Sequence, residues 1–150
     1  MLEIERKFLL TVLPPGCTDD SPHKIDQGYL AVEPNGTHVR LRRRDATFTL
    51  TAKRGRGHVR EEFETEIEAR QFDILWPLTA GRRLRKLRYL IPHGDLKFEI
   101  DVFQGRHEGL IVAEIEFPDV ERSQTFSVPG WCGEEVTSNS NYSNIRLAVD

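Results

Sequence analysis

The feature that most constrains this chain is a period-two alternation of charged and apolar residues, repeated along most of its length. Successive strand side chains point to opposite faces, so this pattern marks strands rather than helices. Eight segments carry it, roughly 2–10, 24–33, 37–45, 47–54, 58–67, 83–91, 95–103 and 109–117. Pro34-Asn35-Gly36, Gly55-Arg56-Gly57 and His93-Gly94-Asp95 are turn signals between them. Connections this short predict antiparallel neighbours. Three segments read as helical: roughly 68–78, 120–126 and 141–148. The first sets Phe72, Leu75 and Trp76 on one face, and the last has Tyr142, Ile145 and Leu147 as its apolar side. The Ser/Asn-rich stretch 137–141 offers capping residues for the last helix. Segment 13–22, with Pro14, Pro15 and Gly16, reads as a loop.

The alternation also sorts the charges. Glu3, Glu5 and Lys7 share one face of the first strand, and Leu2, Ile4, Phe8 and Leu10 share the other, with Arg6 an exception. Arg40 and Arg42 oppose Val39 and Leu41, and Lys53 opposes Leu50 and Ala52. Arg60, Glu62, Glu64 and Glu66 oppose Val59, Phe63 and Ile67. Lys86 and Arg88 oppose Leu87 and Tyr89, Glu99 and Asp101 oppose Ile100 and Val102, and Glu114 and Glu116 oppose Ala113, Ile115 and Phe117. Arg43, Arg44, Arg82, Arg83 and Arg85 are read as lying outside this face and are expected in solvent.

An ordinary solvated sheet explains alternation by itself. It does not explain why nearly every polar position is fully charged. Eight mostly antiparallel strands tend to close, which removes open edges. The expected fold is therefore α+β but predominantly β: an eight-stranded antiparallel closed barrel, a tunnel with a charged lumen and a few flanking helices. It would form a single domain over residues 1–150. Buried unpaired charges each cost several kcal/mol, so such a lumen calls for a charged ligand. Carboxylates suit a hard cation such as Mg²⁺ or Mn²⁺, and Arg and Lys suit phosphate oxygens.

Composition narrows the partners. A net charge of -3 gives no sign of a surface for nucleic-acid duplexes. No apolar run approaches the ~18 residues of a membrane span, and the charged start is unlike a secretory signal. Cys17 and Cys132 lack metal-ligand spacing and read as free thiols in a reducing cytoplasm, a single disulfide being the alternative. An apolar outer barrel face leaves room for a homodimer.

Glu3-x-Glu5-x-Lys7 resembles the ExExK signature of the CYTH domain, the triphosphate tunnel metalloenzymes. The resemblance continues through Gln27-Gly28-Tyr29-Leu30, Val39-Arg40-Leu41-Arg42, Lys53, Arg60 to Glu66, and Lys86-x-Arg88-Tyr89. It takes in Phe98-Glu99-Ile100-Asp101-Val102-Phe103, Glu114-Ile115-Glu116-Phe117 and Tyr142-x-Asn144. The chain is similar to the compact bacterial members.

The resemblance implies hydrolysis of a triphosphate, most simply inorganic tripolyphosphate to pyrophosphate and phosphate, with Mg²⁺ or Mn²⁺. It implies Glu3, Glu5, Glu114 and Glu116 as metal ligands. Lys7, Tyr29, Arg40, Arg42, Lys53, Arg60, Lys86 and Arg88 would bind phosphate. Glu62 and Glu64 would hold a second cation or position the attacking water, and Lys86 would join them in catalysis. Glu99 and Asp101 would orient the basic side chains or complete the acidic half. Leu87 stands where many relatives carry Thr, so one minor phosphate contact is missing. The alternatives are a class IV-type adenylyl cyclase, a nucleoside or thiamine triphosphatase, and a non-catalytic polyphosphate-binding module.

Overall fold

The computed structural model describes residues 3–17, 22–54 and 61–149. Its strands are β1 (Ile4–Leu10), β2 (His23–Val32), β3 (His38–Arg44), β4 (Thr47–Arg54), β5 (Glu61–Ile67), β6 (Arg83–His93), β7 (Leu96–Phe103) and β8 (Ile111–Phe117). They form one eight-stranded sheet in the order β1-β8-β7-β6-β2-β3-β4-β5. The ladders β1–β8, β8–β7, β7–β6, β2–β3, β3–β4 and β4–β5 are antiparallel. Three short α-helices accompany the sheet: α1 (Ala69–Leu75), α2 (Val120–Thr125) and α3 (Asn144–Val149). The strands and the first two helices fall where the alternation and helical periodicity put them. Residues 58–60, the expected start of the fifth strand, lie outside the described residues, as do the Gly55-Arg56-Gly57 turn and Arg60.

The last helix begins later than the sequence suggests. Its first turn is capped by Ser143, whose hydroxyl accepts from the Arg146 N–H at 3.2 Å, rather than by the 137–141 stretch. The difference is physical: Ser140–Tyr142 forms a separate 3-10 turn.

The chain divides into two compact units, each with its own packing. One comprises Lys24–Arg85 with Ser140–Asp150. Here β2 to β5 form a meander, and α1 lays Phe72 between Phe48 and Trp76, with both ring centroids 5.0 Å away. Arg83 stacks its guanidinium over Trp76 at 4.5 Å and donates to Thr79 Oγ1 and the Trp76 carbonyl. Arg82 donates to the carbonyls of Tyr29 and Leu78. Neither arginine is the solvated surface charge that the sequence suggests. Arg82 clamps the 3-10 turn Trp76–Thr79 onto β2, and Arg83 ties that turn to the start of β6. The contact is close because Gly28 faces Thr79: a Cβ on Gly28 would lie 2.6 Å from Thr79 Cβ.

The other unit comprises Glu3–His23 with Lys86–Asn139. Its apolar face gathers Ile4, Phe8, Leu10, Phe98, Ile100, Ala113, Ile115 and Phe117 into a core, against which Phe126, Trp131, Cys17 and Cys132 pack. Both cysteines are free thiols.

A strap at Gly133–Val136 pairs with the edge of β1 that β8 leaves open. Gly133 and Val136 donate to the carbonyls of Leu9 and Lys7, each at 2.8 Å, and Leu9 donates to Glu134. The strap explains Arg6, the charge that breaks the alternation in β1. Its guanidinium grips Glu135 with two hydrogen bonds, 2.9 and 2.7 Å, and donates to the Ser123 carbonyl of α2.

Candidate functional site

Each unit carries a polar face, and the strand register fixes which side chains share it. In the β2–β5 unit, Tyr29 lies opposite Arg40 and Gln27 opposite Arg42. On β4, His38 lies opposite Lys53, Arg40 opposite Thr51 and Arg42 opposite Thr49. On β5, Lys53 meets Glu62 and Thr51 meets Glu64. Directly opposite residues share a face. Tyr29, Arg40, Arg42, Lys53, Glu62 and Glu64 are thus brought together, as the sequence predicts.

Their side chains are wired to one another. Gln27 Oε1 accepts from Arg42 Nε and Nη2 at 3.1 and 2.8 Å, and Gln27 Nε2 donates to the Tyr29 hydroxyl at 3.2 Å. Thr51 donates to Glu64 at 2.8 Å and accepts from Arg40 Nη2 at 3.3 Å. Glu64 and Glu62 each approach a cation, Arg40 and Lys53 respectively, at 3.9 Å. The Arg40 side chain is buried, yet its Nε–H has no hydrogen-bond partner. A buried guanidinium donor left unmatched costs about 1–3 kcal/mol or more, and an anion would supply the missing acceptor. Burial also raises the Tyr29 hydroxyl above its ordinary value, although Arg40 and Arg42 pull the other way, so it stays a neutral hydrogen-bonding group at neutral pH.

The sequence reading singled out neither Gln27 nor Thr51 as a functional residue. Both sit two positions from a residue it did name, Tyr29 and Lys53, so period-two spacing was the signal available. Arg44 needs a correction. It pairs with Ile25 and Thr47 and lies two residues beyond Arg42, so it belongs to this polar face rather than off it.

In the unit of β1 and β6–β8, the polar face carries Glu5 and Lys7 from β1, opposite Glu116 and Glu114 of β8. Glu99 lies opposite Glu114, and Arg88 opposite Asp101. Asp101 is the hub of the basic side. Its carboxylate accepts from Arg88 Nε and Nη2 at 2.8 and 2.9 Å, and Lys86 Nζ lies 2.8 Å from it. Lys86 is fully buried, with its ammonium 5.5 Å from the centre of the Phe103 ring, and Arg88 also pairs with Glu99. Burial alone would raise the Asp101 carboxyl. The Lys86 charge and the Arg88 hydrogen bonds outweigh it and hold the group well below the usual carboxylate range.

The acidic side is organised around Glu5 and Glu114, whose carboxyls are hydrogen-bonded. Although Glu5 keeps contact with solvent, surrounding protein and then Glu114 push it up to about 9. Burial acts to raise Glu114 too, but the hydrogen bond from Glu5 and the charge of Lys7 lower it. Two carboxyls in contact repel one another when both are charged, so a proton or a cation between them relieves the pair.

A divalent cation fits in the proton's stead. Glu5 and Glu114 are hard oxygen donors already in contact, with Glu116 opposite Glu5 in register. Among the described residues no three His, Cys, Asp or Glu groups converge as a closed metal cage. That donor set suits a cation that keeps several waters and takes only one or two carboxylates plus substrate oxygens, as Mg²⁺ does. Glu3 adds to the negative field at Glu5.

A sheet that crowds arginines, lysines and carboxylates onto its polar faces defines a binder of polyanions and cations. Residues 1–135 match the CYTH domain, and the chain belongs to that family. It is 42% identical to the inorganic triphosphatase of Nitrosomonas europaea, an alignment covering 99% of this chain and 98% of that protein. It is 35% identical to the inorganic triphosphatase of Acetivibrio thermocellus, covering 97% and 92%. The crystal structure of the inorganic triphosphatase NE1496 superposes with a TM-score of 0.77 at 37% identity, covering 100% of this chain and 96% of that one.

Proposed function

We propose that this chain hydrolyses inorganic triphosphate to pyrophosphate and phosphate in a metal-dependent reaction. The observation that carries the reading is Arg40, whose buried Nε–H has no acceptor within the protein. A terminal or bridging phosphate oxygen is the chemistry it lacks. The two full-length relatives named inorganic triphosphatase support the choice of substrate.

Phosphoryl transfer asks a protein mainly for positioning and charge neutralisation. Arg40, Arg42 and Lys53 would bind phosphate oxygens, and Arg60 would join them; Lys7, on the polar face of the other unit, is likewise proposed as a phosphate ligand. Gln27 and Thr51 orient Arg42 and Arg40 through the hydrogen bonds already described. Lys86 and Arg88, held by Asp101, would set a fixed positive field for charge developing on the leaving pyrophosphate. Tyr29 would donate its hydroxyl hydrogen bond to a phosphate oxygen. Glu62 and Glu64 would orient the attacking water. Glu3, Glu5, Glu114 and Glu116 would hold Mg²⁺ or Mn²⁺, which when bound polarises phosphate oxygens and lowers the pKa of water.

The test is phosphate release from tripolyphosphate, ATP and thiamine triphosphate, each with Mg²⁺ and with Mn²⁺. Tripolyphosphate is expected to turn over fastest. Cyclic AMP from ATP would favour the cyclase alternative, and binding without release would leave only a polyphosphate-binding module.

The free thiols of Cys17 and Cys132 support a cytoplasmic setting; no helix among the described residues is long and apolar enough to cross a membrane. Exposed Phe63, Ile74 and Leu78 support pairing with a second copy of the chain. Sedimentation at micromolar concentration is expected to give twice the 17.3 kDa chain mass, and a monomer would remove the dimer.

A further inference from the structure

We infer that His38 is a further phosphate-binding residue of the β2–β5 unit, which engages the anion as an imidazolium and so ties substrate binding to pH. The inference rests on the phosphohydrolase reading above and deepens it.

His38 opens β3 two residues before Arg40, so it projects to the same face as Arg40 and Arg42. Its register partner on β4 is Lys53, and its ring makes a T-shaped contact with the Tyr29 ring, centroids 5.4 Å apart. The imidazole is buried between two side chains assigned to phosphate. The preceding turn fixes its tautomer. Gly36, at φ 89°, closes that turn, and its carbonyl lies 2.9 Å from His38 Nδ1. A carbonyl only accepts, so Nδ1 carries a proton and Nε2 is the nitrogen that gains or loses one.

Two observations favour a ligand over simple packing. Arg40, on the same face, keeps its buried Nε–H without an acceptor. From His38 to Arg40 the strand advances about 7 Å, short enough for one triphosphate to meet both. The second observation is charge. Among the described residues, the register sets Lys53 of β4 and the apolar Val32 of β2 opposite His38, with Arg40 the next residue on its face and Tyr29 against its ring. Glu62 and Glu64 answer Lys53 and Arg40 at 3.9 Å. Lys53 and Arg40 by themselves oppose a further positive charge on the ring. A triphosphate brings several negative charges, reverses that field and favours a proton on Nε2. The gain is complete below the pKa of the imidazole, ordinarily about 6.5. It is lost as pH rises through the higher pKa of the complex.

The experiment is calorimetric binding of tripolyphosphate, without divalent metal, to wild type, H38N and H38Q from about pH 5.5 to 8.5. Asn keeps an amide donor near the Gly36 carbonyl, and neither amide titrates. Protonation of the ligand itself is common to all three proteins and cancels in the comparison. Wild type is expected to bind about tenfold more tightly than either variant at the acid end and equally at the alkaline end, the gain of one charge-assisted contact. Proton NMR of wild type, with the His38 resonance assigned by its loss in the variants, is expected to show tripolyphosphate raising the His38 midpoint by about one pH unit. A wild-type to variant ratio that does not change with pH, or a His38 midpoint that tripolyphosphate leaves in place, would overturn the inference and leave the phosphohydrolase reading standing. The midpoint is read on wild type, so a variant that fails to fold does not decide the test. Wild type that binds no tripolyphosphate at any pH would overturn both.

Discussion

Replacing Asp101 by alanine is expected to destabilise the protein by about 3–5 kcal/mol, the cost of leaving buried charge uncompensated. Asp101 is the shared counter-ion of Lys86, which is fully buried, and Arg88, which is nearly so. Removing the carboxylate takes the shared counter-ion from both buried cations and leaves Arg88 with Glu99. A shift in the urea midpoint measures the loss. The double variant K86M/D101L removes a cation together with its acceptor and should recover part of it. No recovery would show that shape rather than charge sets the cost.

The same residue predicts a pH limb. A carboxyl whose pKa is lower in the folded than in the unfolded state adds stability that is present above its unfolded pKa, about 3.9. That stability drains away as pH falls from there toward the folded value, which lies well below the usual range. D101N, which keeps the shape but cannot titrate, should flatten the acid limb of a stability–pH curve between about pH 4 and 2. An unchanged limb would assign it to other carboxylates.

The second large effect is expected from Glu5→Gln. The variant should lose metal-dependent turnover by on the order of 100-fold or more, since a cation supplies several kcal/mol of transition-state stabilisation. Its fold should be undisturbed. Glu5 lies against the Glu114 carboxyl, and a Gln amide can donate a hydrogen bond to it. Melting should therefore match wild type while the Mg²⁺ or Mn²⁺ concentration for half-maximal rate rises. Wild-type turnover in this variant would remove the metal role of Glu5.

The strands were legible because each pattern is local: charge and apolarity alternate within a few residues, and the described strands follow them closely. Glu5, Lys7, Arg40 and Arg88 could be assigned to polar faces for the same reason. What the sequence could not supply was pairing across strands. That Lys86 and Arg88 both converge on Asp101, or that Thr51 bridges Arg40 and Glu64, depends on registers between distant segments. Arg44 was misjudged because an unbroken run of basic residues, Arg42 to Arg44, hides the alternation within it. Arg82 and Arg83 were misjudged because their partners are mostly backbone carbonyls, which no side-chain pattern reveals. Arg60 lies outside the described residues.

The strap along β1 has a consequence for fidelity. A one-residue slip of a strand turns every side chain over, and on β1 it would drive Glu5 and Lys7 into the apolar core while turning Phe8 out. A terminal strand held along one side has little to prevent this. Here β8 fixes one side and Gly133–Val136 the other, and the two-pronged grip of Arg6 on Glu135 pins the phase between strand and strap. An arginine that breaks the alternation of its own strand thereby keeps the neighbouring glutamates in phase.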